Sequence, residues 1–251
     1  MPLRKSPTER FSDRVADYVR YRPRYPGEMI FMLMSELGMQ PGWTVADIGS
    51  GTGISTEPFL GQGFRVYGVE PNPEMRAAAE SLLHDRPEFV SVDGSAEAMG
   101  LPPKSVDLIF CGQAFHWFDR MAAKTEFRRV LRDPGHIVLA WNRRVAGAAF
   151  QEGYEDMLTR LLPEYRESGH RDIPDAEIAE FFHPKPMQTR DLYNSQHLDF
   201  EGLKGRLLSS SYCPKSGPVH GQVMKAAADL FDRFQDQGKV TMKYRTDIYW
   251  C

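Results

Sequence analysis

The chain has 251 residues, 41% hydrophobic and 26% charged, with a formal net charge of −3 at pH 7. That is enough apolar sequence for one sizeable core, and it excludes the broad basic face of a general nucleic-acid binder. It also excludes a disulfide scaffold. Cys111, Cys213 and Cys251 are widely separated, form no C-x-x-C pair and suit free thiols in a reducing cytosol.

In chain order, MPLRKSPTERFSDR lacks the apolar run of a signal peptide. No later stretch approaches the ~18 apolar residues of a membrane-spanning helix, so a soluble, cytoplasmic protein is expected. Arg4, Lys5, Arg10, Arg14, Arg20, Arg22 and Arg24 interleave with Glu9, Asp13 and Asp17, and most of these charges read as a solvated helix face. An amphipathic stretch around Phe11, Val15, Tyr18 and Val19 leads into RYRPRYP (20–26) and then a helix at GEMIFMLMSELG (27–38).

Five Val- and Ile-rich runs follow: TVADIG (44–49), RVYGVE (65–70), EFVSVDG (88–94), VDLIFCG (106–112) and HIVLAWN (136–142). Helical segments lie between them. PEMRAAAESLLH (73–84) opens with Pro73 and Glu74, and DRMAAKTEFRRVLR (119–132) starts at Asp119 and stops before Pro134-Gly135. Alternating strands and helices predict βαβ units, hence a doubly wound, mostly parallel seven-stranded sheet with helices on both faces.

After Asn142 that rhythm stops. Helices are expected over 149–165, 175–182 and 218–238, and strands over 188–200 and 239–250. The organisation expected is one domain: N-terminal lid helices (1–40), a ligand-binding core (41–145), a helical cap insertion (146–200) and a C-terminal completion of the sheet (201–251).

The loop after the first strand, VADIGSGTGIST (45–56), fails two phosphate-binding patterns. G-x-G-x-x-G places its third glycine at Ile54, whereas the glycine is Gly53, and a Walker A loop needs a lysine where Ile54 stands. The acidic strand ends carry the alternative. Asp47 closes the first strand and Glu70 the second. In a doubly wound sheet ligands bind at such carboxyl ends, and an acid there accepts from ribose hydroxyls. Two carboxylates without a cationic partner disfavour polyphosphate and suit a nucleoside carrying a cation.

ADIGSGTG followed by VYGVEPNPEM, then VDGSAEAMGLP (92–102) and DLIFCGQAFHWF (107–118), resembles the ordered landmarks of class I S-adenosylmethionine (SAM) dependent methyltransferases. FSDRVADYVRYRPRYP, QAFHWFD and LLSSSYCP further resemble small-molecule methyltransferases similar to the trans-aconitate methyltransferases. The resemblance implies a Rossmann-like fold with SAM as cofactor and S-adenosylhomocysteine as product. It implies Gly49, Gly51 and Gly53, with Ser50 and Thr52, around the methionine and ribose. Glu70 would take the ribose hydroxyls, with Pro71, Asn72 and Met75 near the adenine face. Asp93 would approach the adenine amino group, with Gly94, Ser95, Ala96 and Glu97 in the same loop. The Gln113 carbonyl would receive the cofactor's ammonium, and Tyr18 and Arg22 would close over its carboxylate. One departure stands out: LPPKSVD, where many relatives carry LPF.

Methyl transfer from a sulfonium needs chiefly an acceptor held ~3–3.5 Å from the methyl carbon in a site closed to water. A base is needed for a hydroxyl acceptor, and His116 is the candidate. A carboxylate acceptor would instead be oriented by Arg22 or Arg143. SSSYCP (209–214) offers a hydroxyl-rich wall or a plain loop. The expected acceptor is a small molecule, without nucleic acid, membrane or metal, and the protein a monomer or homodimer. Two rivals stay open: a catalytically silent SAM binder, and an NAD(P)-linked oxidoreductase, against which Ile54 argues.

Overall fold

The computed structural model describes residues 14–168 and 173–251; Arg4, Lys5, Arg10, Phe11 and the other residues before Arg14 lie outside them. Two helices, α1 (Val15–Tyr21) and α2 (Glu28–Leu37), precede β1 (Thr44–Ile48), α3 (Thr56–Gly61), β2 (Arg65–Val69), α4 (Pro73–Leu82) and β3 (Phe89–Val92). Next come β4 (Val106–Gly112), a 3-10 turn (Phe115–Trp117), α5 (Arg120–Val130) and β5 (Leu131–Arg144). The chain continues through α6 (Ala149–Leu161), α7 (Pro163–Ser168), α8 (Asp175–Phe182), β6 (Gln188–Leu198), α9 (Phe200–Leu208), α10 (Pro218–Phe234) and β7 (Val240–Trp250).

The seven strands form one sheet in the order β3-β2-β1-β4-β5-β7-β6. The first five are parallel, while β7 runs antiparallel to both β5 and β6. Strand periodicity explains the layers. Ala46, Ile48, Ile109, Cys111, Leu139 and Trp141 bury one face against Phe127 of α5 and Phe181 of α8. The alternate residues Val45, Val66, Leu108, Phe110 and Val138 bury the other face against Leu33 of α2 and Phe59 of α3. The expected doubly wound, mostly parallel seven-stranded sheet is the one observed.

The later segments depart from the sequence reading in three places. The helix expected over 149–165 breaks at Leu162, which is extended (φ −123°, ψ 93°), because Pro163 disfavours helical backbone before it and then opens α7 as its first residue. The stretch 188–198, assigned to the cap, is instead the sheet's edge strand, paired with β7 along its whole length. The cap is built from α6, α9 and α10 around Tyr154, Leu158, Leu203, Leu207, Val223 and Ala227. Helix α9 has no counterpart in the sequence reading, because Gly202 and Gly205 weaken its helical signal; the side chain of Asp199 caps it by accepting from the Gly202 N–H at 2.7 Å.

Two arginines of the N-terminal basic cluster lie outside the solvated face expected for most of it. Arg14 donates to the carbonyls of Leu208 and Ser210, both at 2.8 Å, and Arg22 to that of Ser209 at 2.9 Å. They satisfy the carbonyls at the C-terminal end of α9, where a cation is favoured. α1 packs so closely there that a Cβ on Gly205 would lie 2.0 Å from the Tyr21 ring. Gly205→Ala is therefore expected to push α1 outward and cost about 1–3 kcal/mol. Thermal denaturation should show a drop of several degrees. Hydrogen exchange should speed up in α1 and stay unchanged in β1 and β4; equal exchange in α1 would refute the clasp.

Among the described residues no helix is long and apolar enough to cross a membrane, and no group of His, Cys, Asp or Glu is placed to hold a metal ion. The three cysteines are free thiols.

Candidate functional site

The strand order reverses between β1 and β4, and two adjoining cavities open at the carboxyl ends of these strands, as expected at a topological switch point. The larger measures about 520 Å³ and the smaller about 270 Å³. Tyr18, Gly49, Gly51, Gly112, Gln113 and Trp117 line both, so these residues mark the junction.

The glycine loop is shaped by close approach. Gly49 has φ +68°, and a Cβ there would sit 2.6 Å from the Cβ of Ala114. Its N–H donates to the Val69 carbonyl at 2.8 Å, tying the loop to the end of β2. One residue on, Glu70 is 9% exposed. Its Oε2 accepts from the Gly51 N–H at 3.0 Å and its Oε1 from the Asn72 N–H at 2.9 Å. Burial pushes the Glu70 carboxyl above its ordinary value, and these two hydrogen bonds and Arg76 oppose the shift. Asn72 caps α4, its side chain accepting from the Met75 N–H at 2.8 Å.

The smaller cavity brings together Glu70, Pro71, Asn72, Met75, Ser95, Ala96 and Glu97, as the sequence implied. It adds Ala114, Trp117 and Phe118. Trp117 and Phe118 give this cavity an aromatic wall. Gln113 holds a left-handed backbone (φ +57°), a strained choice for a residue with a Cβ. It is fixed by its N–H to the Ala140 carbonyl at 2.9 Å and its side-chain amide to the Asn142 carbonyl at 3.1 Å.

Five of the sequence-derived residues line neither cavity. Asp47 is fully buried beneath the loop, where its Oδ2 accepts from the hydroxyls of Ser55 and Thr56, both at 2.7 Å. Burial lifts its carboxyl to about 6, although those hydroxyls pull the other way. Thr52 is buried at 2% exposure. Gly53 packs on Leu83, where a Cβ would lie 2.8 Å from a methyl. Asp93 turns outward to pair with Arg76 at 2.9 Å, its side chain 75% exposed. Gly94 lies against the Met99 carbonyl, 2.8 Å from where a Cβ would stand. These five shape or brace the loops around the cavities rather than line them.

The larger cavity holds Ser50, Arg22, Arg143 and His116. His116 lies on the 3-10 turn, its ring 4.9 Å from that of Trp117, while its neighbour Phe115 anchors the turn in the core. Of the stretch 209–214, Ser211 and Tyr212 line the cavity, while Ser209 and Ser210 are fully buried.

Sequence reasoning missed Arg144, Glu155, Tyr165, Arg206 and Tyr244, which line the same cavity. Arg144 pairs with Glu155 and donates to the Tyr165 hydroxyl at 2.7 Å. Arg206 is 4% exposed and donates to Ser210 Oγ at 3.1 Å and the Tyr244 hydroxyl at 3.4 Å. Burial pushes the Tyr212 phenol up, but Arg144, Arg206 and Arg22 outweigh it and the net direction is down. One signal was available: Arg206 interrupts the apolar run of α9, beside Leu203 and Leu207, and a charge on a buried helix face needs a reason.

Residues 46–139 match the family model described as a methyltransferase domain. An uncharacterized methyltransferase of Mycobacterium tuberculosis is 38% identical over 134 residues, 53% of this chain and 52% of that protein. One from Geobacillus sp. (strain WCH70) is 31% identical over 153 residues, 60% of this chain and 67% of that protein. The match thus spans about half to two thirds of these relatives' length. In fold, the chain is similar to a proposed type II methyltransferase from Anaeromyxobacter dehalogenans, with a TM-score of 0.67 at 22% identity over 92% of this chain and 97% of that one. It is also similar to a Haemonchus contortus phosphoethanolamine N-methyltransferase in complex with S-adenosylhomocysteine, with a TM-score of 0.56 at 15% identity over 95% and 56% of the two chains. By sequence and by fold, this chain belongs to the class I methyltransferase family.

Proposed function

We propose that the protein transfers a methyl group from SAM to a small-molecule acceptor, a carboxylate or a hydroxyl. The observation that carries this reading is the charge of the smaller cavity. Glu70 and Glu97 line it, and no arginine or lysine does among the described residues. Such a lining repels the pyrophosphate of a dinucleotide and fits a nucleoside with a cationic substituent. The buried Glu70 carboxylate at the end of β2 is the acceptor for ribose hydroxyls, with Met75, Trp117 and Phe118 as apolar walls for the base. Gln113 offers its carbonyl to the ammonium, and Tyr18 at the junction, with Arg22 stacked on it, is there for the carboxylate. The resemblance of the flanking segments to small-molecule methyltransferases supports the choice of acceptor.

When bound, SAM supplies an electrophilic methyl group on a sulfonium, which leaves as the neutral thioether of S-adenosylhomocysteine. The chain's part is then to place the acceptor oxygen and exclude water. For a hydroxyl acceptor, His116 takes the proton released as the new carbon–oxygen bond forms; a carboxylate acceptor needs no base. On this reading the protein works in the cytoplasm, as a monomer or homodimer, without nucleic acid or membrane.

Calorimetric titration of the folded protein with SAM and S-adenosylhomocysteine is expected to give saturable binding, and NADH fluorescence titration none. Folded protein that binds neither SAM nor its product would sink the proposal. A donor-consumption assay over a panel of small acids and alcohols separates an active enzyme from a silent binder.

A further inference from the structure

The larger cavity carries more positive charge than the methyl donor can use. Four arginines line it against a single carboxylate, Glu155. Arg143 pairs with Asp247 at 2.9 Å and Arg144 with Glu155. Arg22 and Arg206 have no carboxylate partner among the described residues. Arg206 is buried, and burial and then the charge on Arg206 disfavour the charge on Arg22. A buried cation without a counter-charge is costly, and arginines retained in such a place are matched to an anion. Arg22 also leaves its Nε buried without a hydrogen-bond partner among the described residues.

The donor's carboxylate accounts for one of the two surplus cations. Arg22 is stacked on Tyr18, its guanidinium carbon 4.8 Å from the ring centroid, and Tyr18 lines both cavities. Arg206, Arg144 and Tyr212 line the larger cavity alone, on the side built by α9 and the end of β5. Their donors converge from different elements. Arg206 is braced by Tyr244 and Ser210, and Arg144 by Glu155 and Tyr165. Bracing of this kind fixes guanidinium forks for an oxyanion.

We propose that the acceptor is a two-ended small acid, whose carboxylate or phosphate docks on Arg206 beside Arg144 and Tyr212 while its other end meets the methyl group at the junction. This inference rests on the methyltransferase reading of the same site. The anchoring group is distinct from the methylated atom: it stays ionised and sets which acceptors enter.

The test uses the full chain, with and without saturating S-adenosylhomocysteine, titrated calorimetrically with succinate, inorganic phosphate and the neutral isostere succinamide. At least one anion is expected to bind about tenfold or more tightly than succinamide. Succinate alone marks a carboxylic acid, phosphate alone a phosphate ester, and both together the shared oxyanion chemistry. Arg206→Gln should weaken the anion about tenfold to a hundredfold and leave S-adenosylhomocysteine affinity within about twofold. Because Arg206 is buried, Tyr212→Phe serves as the second variant; it keeps the fold's bulk and should weaken the anion about threefold to tenfold. The proposal is overturned if neither anion outbinds succinamide, or if the anion binds a folded Arg206→Gln variant as it does the parent. Should Arg206→Gln fail to fold, unchanged anion affinity in Tyr212→Phe overturns it. Failure of S-adenosylhomocysteine to bind counts against the donor reading alone, and the titration without it still decides the anion site.

Discussion

Glu70→Ala is expected to weaken S-adenosylhomocysteine binding by about a hundredfold or more. A carboxylate accepting two hydroxyl hydrogen bonds contributes about 1.5–3 kcal/mol for each, and both are lost together. The same change frees the N–H groups of Gly51 and Asn72, which Glu70 now holds, so the glycine loop keeps its backbone tie to Val69 but loses its side-chain tie to the end of β2. Glu70→Gln separates the two effects. The amide oxygen keeps one of the backbone contacts and one ribose contact, so its affinity should fall between parent and alanine. Calorimetry on variants whose circular dichroism matches the parent decides the matter; a change under about threefold in Glu70→Ala would remove Glu70 from the ribose site. The pH dependence has a fixed sign. Burial raises the Glu70 carboxyl, so its role as an ionised acceptor is lost as pH falls through that raised value.

Asp47→Asn is expected to change the pH dependence of stability. Burial lifts the Asp47 carboxyl from 3.8 to about 6 in the folded chain. The neutral form is therefore favoured in the fold. Its stabilising contribution is complete below the unfolded value and is lost as pH rises through about 6. Ionisation then costs the native state about 3 kcal/mol relative to the unfolded chain. Asparagine mimics the neutral acid and does not titrate, while its oxygen still accepts from Ser55 and Thr56. Urea denaturation of both proteins between about pH 4 and 7.5 should show the asparagine variant gaining on the parent by about 3 kcal/mol. A difference that stays flat with pH would show that Asp47 is ionised without cost. Either result bears on function, because Asp47 braces the turn from β1 into α3 from below and does not line either cavity.

The lining of the smaller cavity was legible because many of its residues are local. Glu70, Pro71, Asn72 and Met75 follow one another at a strand end, and the turn itself fixes where they face. Asp93 shows where that locality stops: its position after β3 is as read, but its carboxylate meets Arg76 on the outer side. Gly53 shows the same limit, since the helix packed against it, and not a ligand, fills the space beside it.

The alternation of strand and helix signals by itself determined the parallel sheet, because βαβ crossovers cover both of its faces, and the uncharged runs VADIG and DLIF fit strands buried on both sides. The spacing of Gly49, Gly51 and Gly53, with the acidic strand end at Glu70, carried the expectation of a cationic nucleoside rather than a pyrophosphate. Only the tertiary structure decided the other cavity. Arg22, Arg144 and Arg206 lie in three distant segments, with Tyr212 six residues beyond Arg206. They become one charged wall because α1 clasps α9 and β7 inserts beside β5. Charge in a cavity depends on which buried cations lack partners, and that is a property of the packing rather than of any stretch of sequence.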